Sequence, residues 1–356
     1  MLVVVLCAIL ADADSGSGIE LWAQAKLEWL RRHLPLKNGI PSHDTFGQVF
    51  AALDPKQFEA CFVRWMSHPC SALEGHVVAI DGKTARRSRQ PGERAIHLVS
   101  AYGSGLGVVL GQVHTAEKSN EITAIPALLN ALLLKGAIVT IDAMGCQRAI
   151  ARKIVEVGAG YVLAVKENQS TLLPRIRTAL DAIERVPAAY ADYTSKYREV
   201  EKGHGRIETR RCVASNVLTR GEQEPELWPG LNTIVMVEST REIGDAVATE
   251  RRYYVSSLPP DAARIAHAAC SHWAIENGMH WTLDMAFGED PCRVRVNNAA
   301  QNFAVLRRIA LNLLRQDRTT KTGLKNRCML ACANDRYLAK FVGWSPTAQS
   351  PNANSS

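Results

Sequence analysis

Residues 137–145 read AIVTIDAMG, an apolar run that ends in an aspartate and continues into a turn sequence. A short apolar run bounded by turn-forming residues is typical of a strand buried on both faces of a sheet. The run HVVAID at 76–81 also ends in an aspartate, and GYVLAVK covers 160–166. These runs predict the central strands of a mixed sheet and place Asp81 and Asp142 at strand ends.

The segments around these runs complete the predicted order of strands and helices. AIHLVSAY at 95–102 and GVVLGQVH at 107–114 have strand character, and helical patterns cover about 122–134, about 146–157 and the residues from about 170. The resulting order is βββαβαβα, which is the order of an RNase H-like domain. We therefore predict an α/β fold with an RNase H-like mixed sheet.

Shifts in composition divide the chain into five segments. The opening MLVVVLCAIL predicts a buried helix, because it has no basic residue before its apolar run and is too short to span a bilayer. An export signal is the alternative. The predicted segments are a small helical N-terminal domain (1–72), the first part of the core (73–184), a β-rich insertion (185–258), the C-terminal helices of the core (259–318) and a C-terminal tail (319–356).

Composition limits the function classes. The 356 residues are 47% hydrophobic, and 42 Lys and Arg against 35 Asp and Glu give a net charge of +7. This content allows a large core, and the modest basic excess favours a polyanionic partner. The nine cysteines include no CxxC pair, so neither a disulfide framework nor a zinc ribbon is indicated. Reduced thiols predict a cytoplasmic protein without a membrane segment.

Three acidic residues are the candidate catalytic and metal-ligating groups. Asp81 and Asp142 each follow a hydrophobic strand that fixes the backbone, and Glu276 lies in the helical segment HWAIENGMHWTLD. Carboxylate oxygens are the ligands that Mg²⁺ prefers, and two-metal sites cleave and join phosphodiesters. A strand-end aspartate that only caps a turn is the alternative for either residue alone.

Polar residues recur every four positions in the third segment and form one stripe on a helix: His272, Glu276, His280 and Asp284. The opposite face carries Ile275, Met279, Leu283 and Ala286. Trp273 and Trp281 favour a buried site over a solvated face. A zinc site made by the two histidines and Glu276 is not favoured, because histidines eight residues apart on a straight helix lie about 12 Å from each other.

Basic and polar residues near the acids are candidates for DNA contacts. Lys83, Arg86 and Arg87 follow the first acid, and Lys166 ends the strand beside the second, so they are placed to bind phosphates. The others are Asn168, His204, Arg206 and His280. A solvated surface explains the basic residues equally well, a helix cap explains Asn168, and a hairpin turn explains the loop at 203–206.

In these residues the chain resembles the DDE transposases of bacterial insertion sequences, in the H-repeat-associated (ISAs-type) group. The segments that carry the resemblance run from about residue 39 to residue 315. They are GIPSHDTFGQVFAALDP, VVAIDGKTARRS, KSNEITAIPALL, VTIDAMGCQ, YVLAVKENQ, GHGRIETRR and HWAIENGMHWTLDMAFGEDPCRVRVNNAAQNFAVLRRIALNLLR.

The resemblance implies an RNase H-like core interrupted by a β insertion, with the DDE triad at Asp81, Asp142 and Glu276. It also implies two Mg²⁺ ions, which Mn²⁺ can replace, and double-stranded DNA as the substrate, both terminal inverted repeats and target. Pairing of two transposon ends implies a homodimer. The family region normally begins upstream, so a shortened N-terminus is expected.

The third acid departs from the family pattern. In related insertion-sequence transposases it lies in a Y(2)R(3)E(6)K signature, in which this chain has Ala269, His272 and Leu283 at the Tyr, Arg and Lys positions. Asp284, Glu289 and Asp290 therefore stay alternatives to Glu276. A DNA-binding remnant without activity and an RNase H-like nuclease without strand transfer are the alternative functions.

Overall fold

A computed structural model describes residues 1–68, 73–89, 95–115, 121–203, 205–219 and 228–345. Helices form the N-terminal region, as expected from the spacing of its apolar residues. Ser42 and Asp54 cap two of them by accepting hydrogen bonds from backbone N–H groups in the first turn. The helices are α1 (Leu2–Leu10), α2 (Gly16–Ala25), α3 (Leu27–Arg31), α4 (His43–Ala52) and α5 (Pro55–Ser67).

The central region contains strands and helices in the expected order. Three strands come first, and strands and helices then alternate. The elements are β1 (Val77–Thr84), β2 (His97–Gly103), β3 (Val108–His114), α6 (Glu121–Ala131), β4 (Ile138–Ile141), α7 (Arg148–Glu156), β5 (Gly160–Val165) and α8 (Leu172–Arg185). The apolar runs in the sequence therefore predicted these elements to within a few residues.

Four long strands and a series of helices follow. The strands are β6 (Thr194–Gly203), β7 (Arg206–Ser215), β8 (Thr233–Ile243) and β9 (Ala246–Ser256). After α9 (Ala262–Ser271) come a π-helical turn (Ile275–His280), α10 (Trp281–Phe287) and α11 (Ala299–Gln316). The segment 319–356, expected to be a tail, contains α12 (Leu324–Ala333) and α13 (Asp335–Phe341), which bury Cys328 and Leu338.

Within the described residues the strands form one mixed sheet of nine, in the order β3-β2-β1-β4-β5-β9-β8-β7-β6. Strands β1, β4 and β5 are parallel, and the other neighbours are antiparallel. Strands β6 to β9 extend the sheet through the β5–β9 pairing. The first half of β9 is exposed, so this end of the strand projects beyond the core.

Each face of the sheet is covered by helices. Val78 and Ile80 belong to the larger core, which also contains residues of α6, α7, α8 and α11. Val77, Ile138 and Val162 belong to a smaller core with α9 on the opposite face. Because successive side chains of a strand point to opposite faces, both cores are built from the same strands. Asp81 and Asp142 lie where the pairing of β1 with β4 ends, at the edge of the smaller core.

The N-terminal helices share the larger core with α11. The side chain of Asn302 donates hydrogen bonds to the carbonyls of Phe50, at 2.8 Å, and Leu53, at 2.9 Å. The rings of Phe50 and Phe303 lie 4.7 Å apart. Helix α1 is largely buried, as its apolar run predicted. No helix in the described ranges combines the length and apolar character needed to cross a bilayer.

Candidate active site

Asp81 and Asp142 lie next to each other where the β1–β4 pairing ends. Asp142 directly follows β4, as predicted, but the prediction that Asp81 ends its strand is wrong, because β1 continues beside β2 to Thr84. Strands β1 and β4 are parallel, and Ile80 pairs with Ile141, so each aspartate is the next residue after a paired isoleucine. Because parallel strands in register present equivalent residues on the same face, both side chains lie on the α9 side of the sheet. The structure therefore brings together the two acids that the sequence placed at strand ends.

The loop after Asp142 is held by hydrogen bonds on both sides. One carboxylate oxygen of Asp142 accepts from the N–H groups of Met144, at 3.0 Å, and Gly145, at 3.2 Å. The Asn168 side chain donates to the carbonyl of Ala143 at 2.7 Å, and Gln169 donates to that of Cys146 at 2.7 Å. Asn168 therefore fixes this loop, and the alternative that it caps α8 is wrong because α8 has no side-chain cap.

Glu276 lies between α9 and α10 and lines the same cleft as Asp142. It lies in the π-helical turn, a geometry that is rare and frequent at functional sites. The expected apolar face is confirmed, because Ile275, Met279, Leu283 and Ala286 are buried. The expectation of a buried segment around Trp273 and Trp281 is wrong, since both rings are substantially exposed. Glu276 is exposed too, so the third acid is open to a large substrate.

Two histidines of the same segment contact the sheet. His272 Nδ1 lies 3.1 Å from the Thr140 hydroxyl, and His280 Nδ1 lies 3.6 Å from an Asp81 carboxylate oxygen. Burial lowers the pKa of His272 and, with help from the charges of Arg308 and Lys83, lowers the pKa of His280 to about 3. His280 is neutral at pH 7 and faces Asp81, which differs from the DNA-contact position that the sequence suggested.

The carboxylates that are alternatives to Glu276 form ion pairs with basic side chains. Lys83 donates to Asp284 at 2.9 Å and to Asp290 at 3.2 Å, and its side chain is only 10% exposed. Glu289 accepts from Arg308 at 2.7 Å, and both side chains are almost fully buried. These ion pairs favour Glu276 over Asp284, Glu289 and Asp290.

Negative charge accumulates around Asp81. Burial raises the pKa of Asp81 to about 7, a hydrogen bond from the Gly82 N–H opposes this rise, and the carboxylates of Glu121, Asp142 and Glu276 add to it. These carboxylates repel one another, and the histidine beside them is neutral. A hard divalent cation bound to the carboxylates would relieve this repulsion.

No group of three His, Cys, Asp or Glu side chains in the described ranges is arranged to hold a metal ion by itself. Mg²⁺ is usually bound through one or two carboxylates, water and substrate phosphates, so the acids present fit Mg²⁺ better than a closed protein shell such as a zinc site.

The basic residues predicted to contact DNA differ in their exposure and in their ion pairs. Lys83 is tied to Asp284 and Asp290 and its side chain is only 10% exposed, which disfavours the phosphate clamp that the sequence suggested. Arg86 is 82% exposed and lies 3.5 Å from Asp290, and Lys166 is exposed at the end of β5. Arg206 lies at the start of β7, 3.1 Å from Glu208. His204 lies outside the described residues.

Two clefts form a continuous groove beside the acids. A cleft of about 190 Å³ is lined by Asp142, Glu276 and Lys166. A larger cleft of about 550 Å³ runs along β7, β8 and β9 and includes Arg206 in its lining. The two clefts share five lining residues: Glu250, Arg252, Tyr254, Ala269 and Trp273. The Arg252 guanidinium lies 4.6 Å from the Trp273 ring centroid. The groove therefore connects the acidic edge with an arginine-rich surface.

Glu121 and His97 are residues near the site to which the sequence analysis gave no role. The Glu121 carboxylate lies against Gly82, the residue after Asp81, and is 2.7 Å from His97 Nε2. Glu121 belongs to the KSNEITAIPALL segment, but a glutamate at a helix start usually has a structural explanation. Only the contact with β1 reveals its position.

Comparison with known proteins gives matches along most of the chain. The family described as DDE_Tnp_1-associated matches residues 1–66, and the family described as Transposase DDE domain matches residues 73–313. "Putative transposase YncI" of Escherichia coli O157:H7 is 41% identical over 349 residues, which cover 96% of this chain and 88% of that protein. "H repeat-associated putative transposase YhhI" of E. coli K12 is 38% identical over 356 residues, covering 97% and 92%.

A cryo-EM structure of the piggyBac transposase synaptic complex with hairpin DNA covers 97% of this chain and 72% of that chain, with 11% identity. Its TM-score of 0.38 is too low to support an argument about this protein.

The Transposase DDE domain match contains all three candidate acids and the strands and helix that carry them. This match defines the class of protein as a transposase. The chain belongs to the DDE transposase family, and its relatives include the H-repeat-associated transposases of bacteria. The family predicted from the sequence is thus confirmed.

Proposed function

We propose that this protein catalyses Mg²⁺-dependent DNA cleavage and strand transfer at the ends of an insertion sequence, with Asp81, Asp142 and Glu276 as the catalytic acids. The observation that supports this most is the pairing of Ile80 with Ile141, which sets two carboxylates side by side, and Glu276 lines the same cleft as Asp142. The strand order β3-β2-β1-β4-β5 supports an RNase H-like core, and β6 to β9 form its insertion.

The three acids would hold two Mg²⁺ ions, which Mn²⁺ can replace. Such a cation pair activates the attacking oxygen and stabilises the leaving oxygen of a phosphodiester. The chain itself would position the acids. The bonds from Met144 and Gly145 hold one oxygen of Asp142 and leave the other for the site. His280 stays neutral beside Asp81 and so does not compete with a cation for that carboxylate.

Double-stranded DNA, both terminal repeats and target, is the proposed substrate. The groove between the acids and the insertion strands offers Lys166 and Arg252 for phosphates, and the exposed Trp273 ring borders the same groove. Phosphate contacts of this kind fix the register of a duplex without reading its sequence. We also propose that a homodimer pairs the two transposon ends and that the protein acts in the cytoplasm.

The test uses a duplex that carries the inverted repeats flanking the gene. Purified protein with Mg²⁺ should release a 3′ end and join it to a second duplex. Asp142→Asn should remove both reactions while the protein still binds the repeats. Cleavage without joining would favour a nuclease, and DNA binding without either reaction in Mg²⁺ or Mn²⁺ would favour an inactive remnant.

A further inference from the structure

Glu121 is the first residue of α6, and its side chain turns toward the sheet. Only 14% of this side chain is exposed. Its position is unusual because a carboxylate is partly buried at the edge of the core, and its ion-pair partner within the described ranges is a histidine, His97. Charged groups in such positions normally have a specific role.

A glycine in β1 makes room for this carboxylate. Any side chain at Gly82 would overlap the carboxylate of Glu121 and the ring of His97. Gly82 directly follows Asp81, so the Glu121 carboxylate lies against the backbone that carries the first catalytic acid. The absence of a side chain at Gly82 therefore allows the Glu121 carboxylate to approach β1 this closely.

One hydrogen bond orients the Glu121 carboxylate, and a second orients its partner, His97. His97 Nε2 lies 2.7 Å from a Glu121 oxygen, and His97 Nδ1 lies 2.8 Å from the hydroxyl of Thr84. Thr84 and His97 are cross-strand partners in the β1–β2 pairing. The chain of contacts from Thr84 through His97 to Glu121 therefore ties the carboxylate to the strand that carries Asp81.

We propose that Glu121 is a fourth acidic residue of the active site, oriented by His97, whose negative charge strengthens the binding of divalent cations. This inference rests on the proposed function, since it assumes that Asp81 takes part in holding those cations. The Glu121 carboxylate lies against Gly82, the neighbour of Asp81, so the negative charges of the two acids repel each other. A bound cation would relieve this repulsion.

A purely structural role for Glu121 has a different consequence. If Glu121 only stabilised the start of α6 and held His97, then Glu121→Gln would lower stability without changing cation binding. Because glutamine has nearly the same shape, the substitution removes the charge and keeps the packing.

The experiment measures Mn²⁺ binding to the full chain without DNA, by the loss of the free Mn²⁺ signal in electron paramagnetic resonance. We expect Glu121→Gln to weaken Mn²⁺ binding by about 10-fold, in the range found for residues that support a metal site. Glu156→Gln is the matched control, because it removes one negative charge from an exposed position on α7 and should leave binding unchanged. Thermal unfolding of each variant identifies losses caused by misfolding.

Asp81→Asn separates the two proposals. If Asp81→Asn abolishes Mn²⁺ binding and Glu121→Gln leaves it at the wild-type value, the role of Glu121 is wrong and the proposed function stands. If wild-type binding is absent or survives Asp81→Asn, the cation site of the proposed function is contradicted, and the role of Glu121 with it.

Gly82→Ala gives a second route to the same answer. The added methyl group should displace Glu121 and weaken Mn²⁺ binding to a similar extent. In the Glu121→Ala background the same methyl group should have little further effect, because residues that act together give non-additive changes. Additive losses would mean that Gly82→Ala acts on Asp81 directly and would contradict the proposal.

Discussion

The ammonium group of Lys83 lies 2.9 Å from a carboxylate oxygen of Asp284, a residue 201 positions further along the chain. The same ammonium group lies 3.2 Å from Asp290. These contacts connect β1 to α10 and to the loop after it. They also neutralise two of the acids that compete with Glu276, so one ion-pair network both fixes the helix and favours Glu276 as the third acid.

Replacement of Lys83 tests this structural role. We expect Lys83→Met to lower the free energy of unfolding by about 2 kcal/mol, between the values for exposed and buried ion pairs, because two partly buried carboxylates lose their partner. Urea denaturation measures the change, and Lys83→Met/Asp284→Asn should recover part of it. Unchanged stability with weaker DNA binding would instead support the phosphate clamp inferred from the sequence.

The Asn168 side chain should matter for catalysis through the loop that it holds. Asn168→Ala loses the hydrogen bond to the Ala143 carbonyl and should lower stability by about 1 kcal/mol. Because this loop positions Asp142, we expect DNA cleavage to fall by about 10-fold with unchanged DNA affinity. Gln169→Ala, which loses the bond to Cys146, is the comparison. A fall in DNA affinity with normal turnover would indicate that Asn168 contacts DNA directly.

Glu59 predicts a specific dependence of stability on pH. Burial raises the pKa of Glu59 from an ordinary 4.5 to about 7, although the Gln112 amide and nearby positive charges oppose the rise. The folded state thus binds the proton more tightly than the unfolded state. The stabilising contribution is complete below pH 4.5 and is lost as pH rises through 7.

Glu59→Gln should remove the loss of stability that wild type shows as pH rises through 7. At pH 8 the variant should be more stable than wild type by up to about 3 kcal/mol, and at pH 4.5 the two should be similar. Chemical denaturation across this pH range, without divalent cations, measures the difference between the two proteins. A difference that does not change with pH would contradict the raised pKa of Glu59.

Arg252 should contribute to DNA binding. Its guanidinium pairs with Glu250 at 2.8 Å, lies over Trp273 and lines both clefts of the groove. Arg252→Ala should weaken DNA binding and reduce the slope of log affinity against log salt concentration by about 1, as expected for one lost phosphate contact. Arg31→Ala, on a helix that does not line the groove, is the control. Equal slopes for the two variants would exclude Arg252 from the interface.

The sequence predicted the strands well because their signal is local. An apolar run ending in an aspartate is visible in AIVTID, and the register that joins Asp81 to Asp142 follows from two such strands being neighbours. The family was predicted by combining several segments. The same local reasoning predicted one helix from His272 to Asp284, whereas the structure divides this segment between the end of α9, a π-helical turn and α10.

Other features depend on contacts between distant segments and are not visible in local patterns. The sequence suggested Lys83 as a phosphate ligand because it cannot reveal that α10 returns to β1. It suggested Asn168 as a DNA contact, with a helix cap as the alternative, although the Asn168 side chain donates to the loop after β4. Glu121 had no assigned role because its importance depends on the missing side chain of Gly82, and the π-helical turn around Glu276 has no simple sequence signal.

The most direct test of the central claim is the Mg²⁺-dependent release of a 3′ end from a duplex carrying the flanking inverted repeats, compared between wild type and Glu276→Gln. Glu276 is exposed, so the substitution should leave stability unchanged. We predict that wild type cleaves and that the variant loses at least about 100-fold in rate while binding the duplex normally. Wild-type cleavage rates in Glu276→Gln would contradict the assignment of the third catalytic acid.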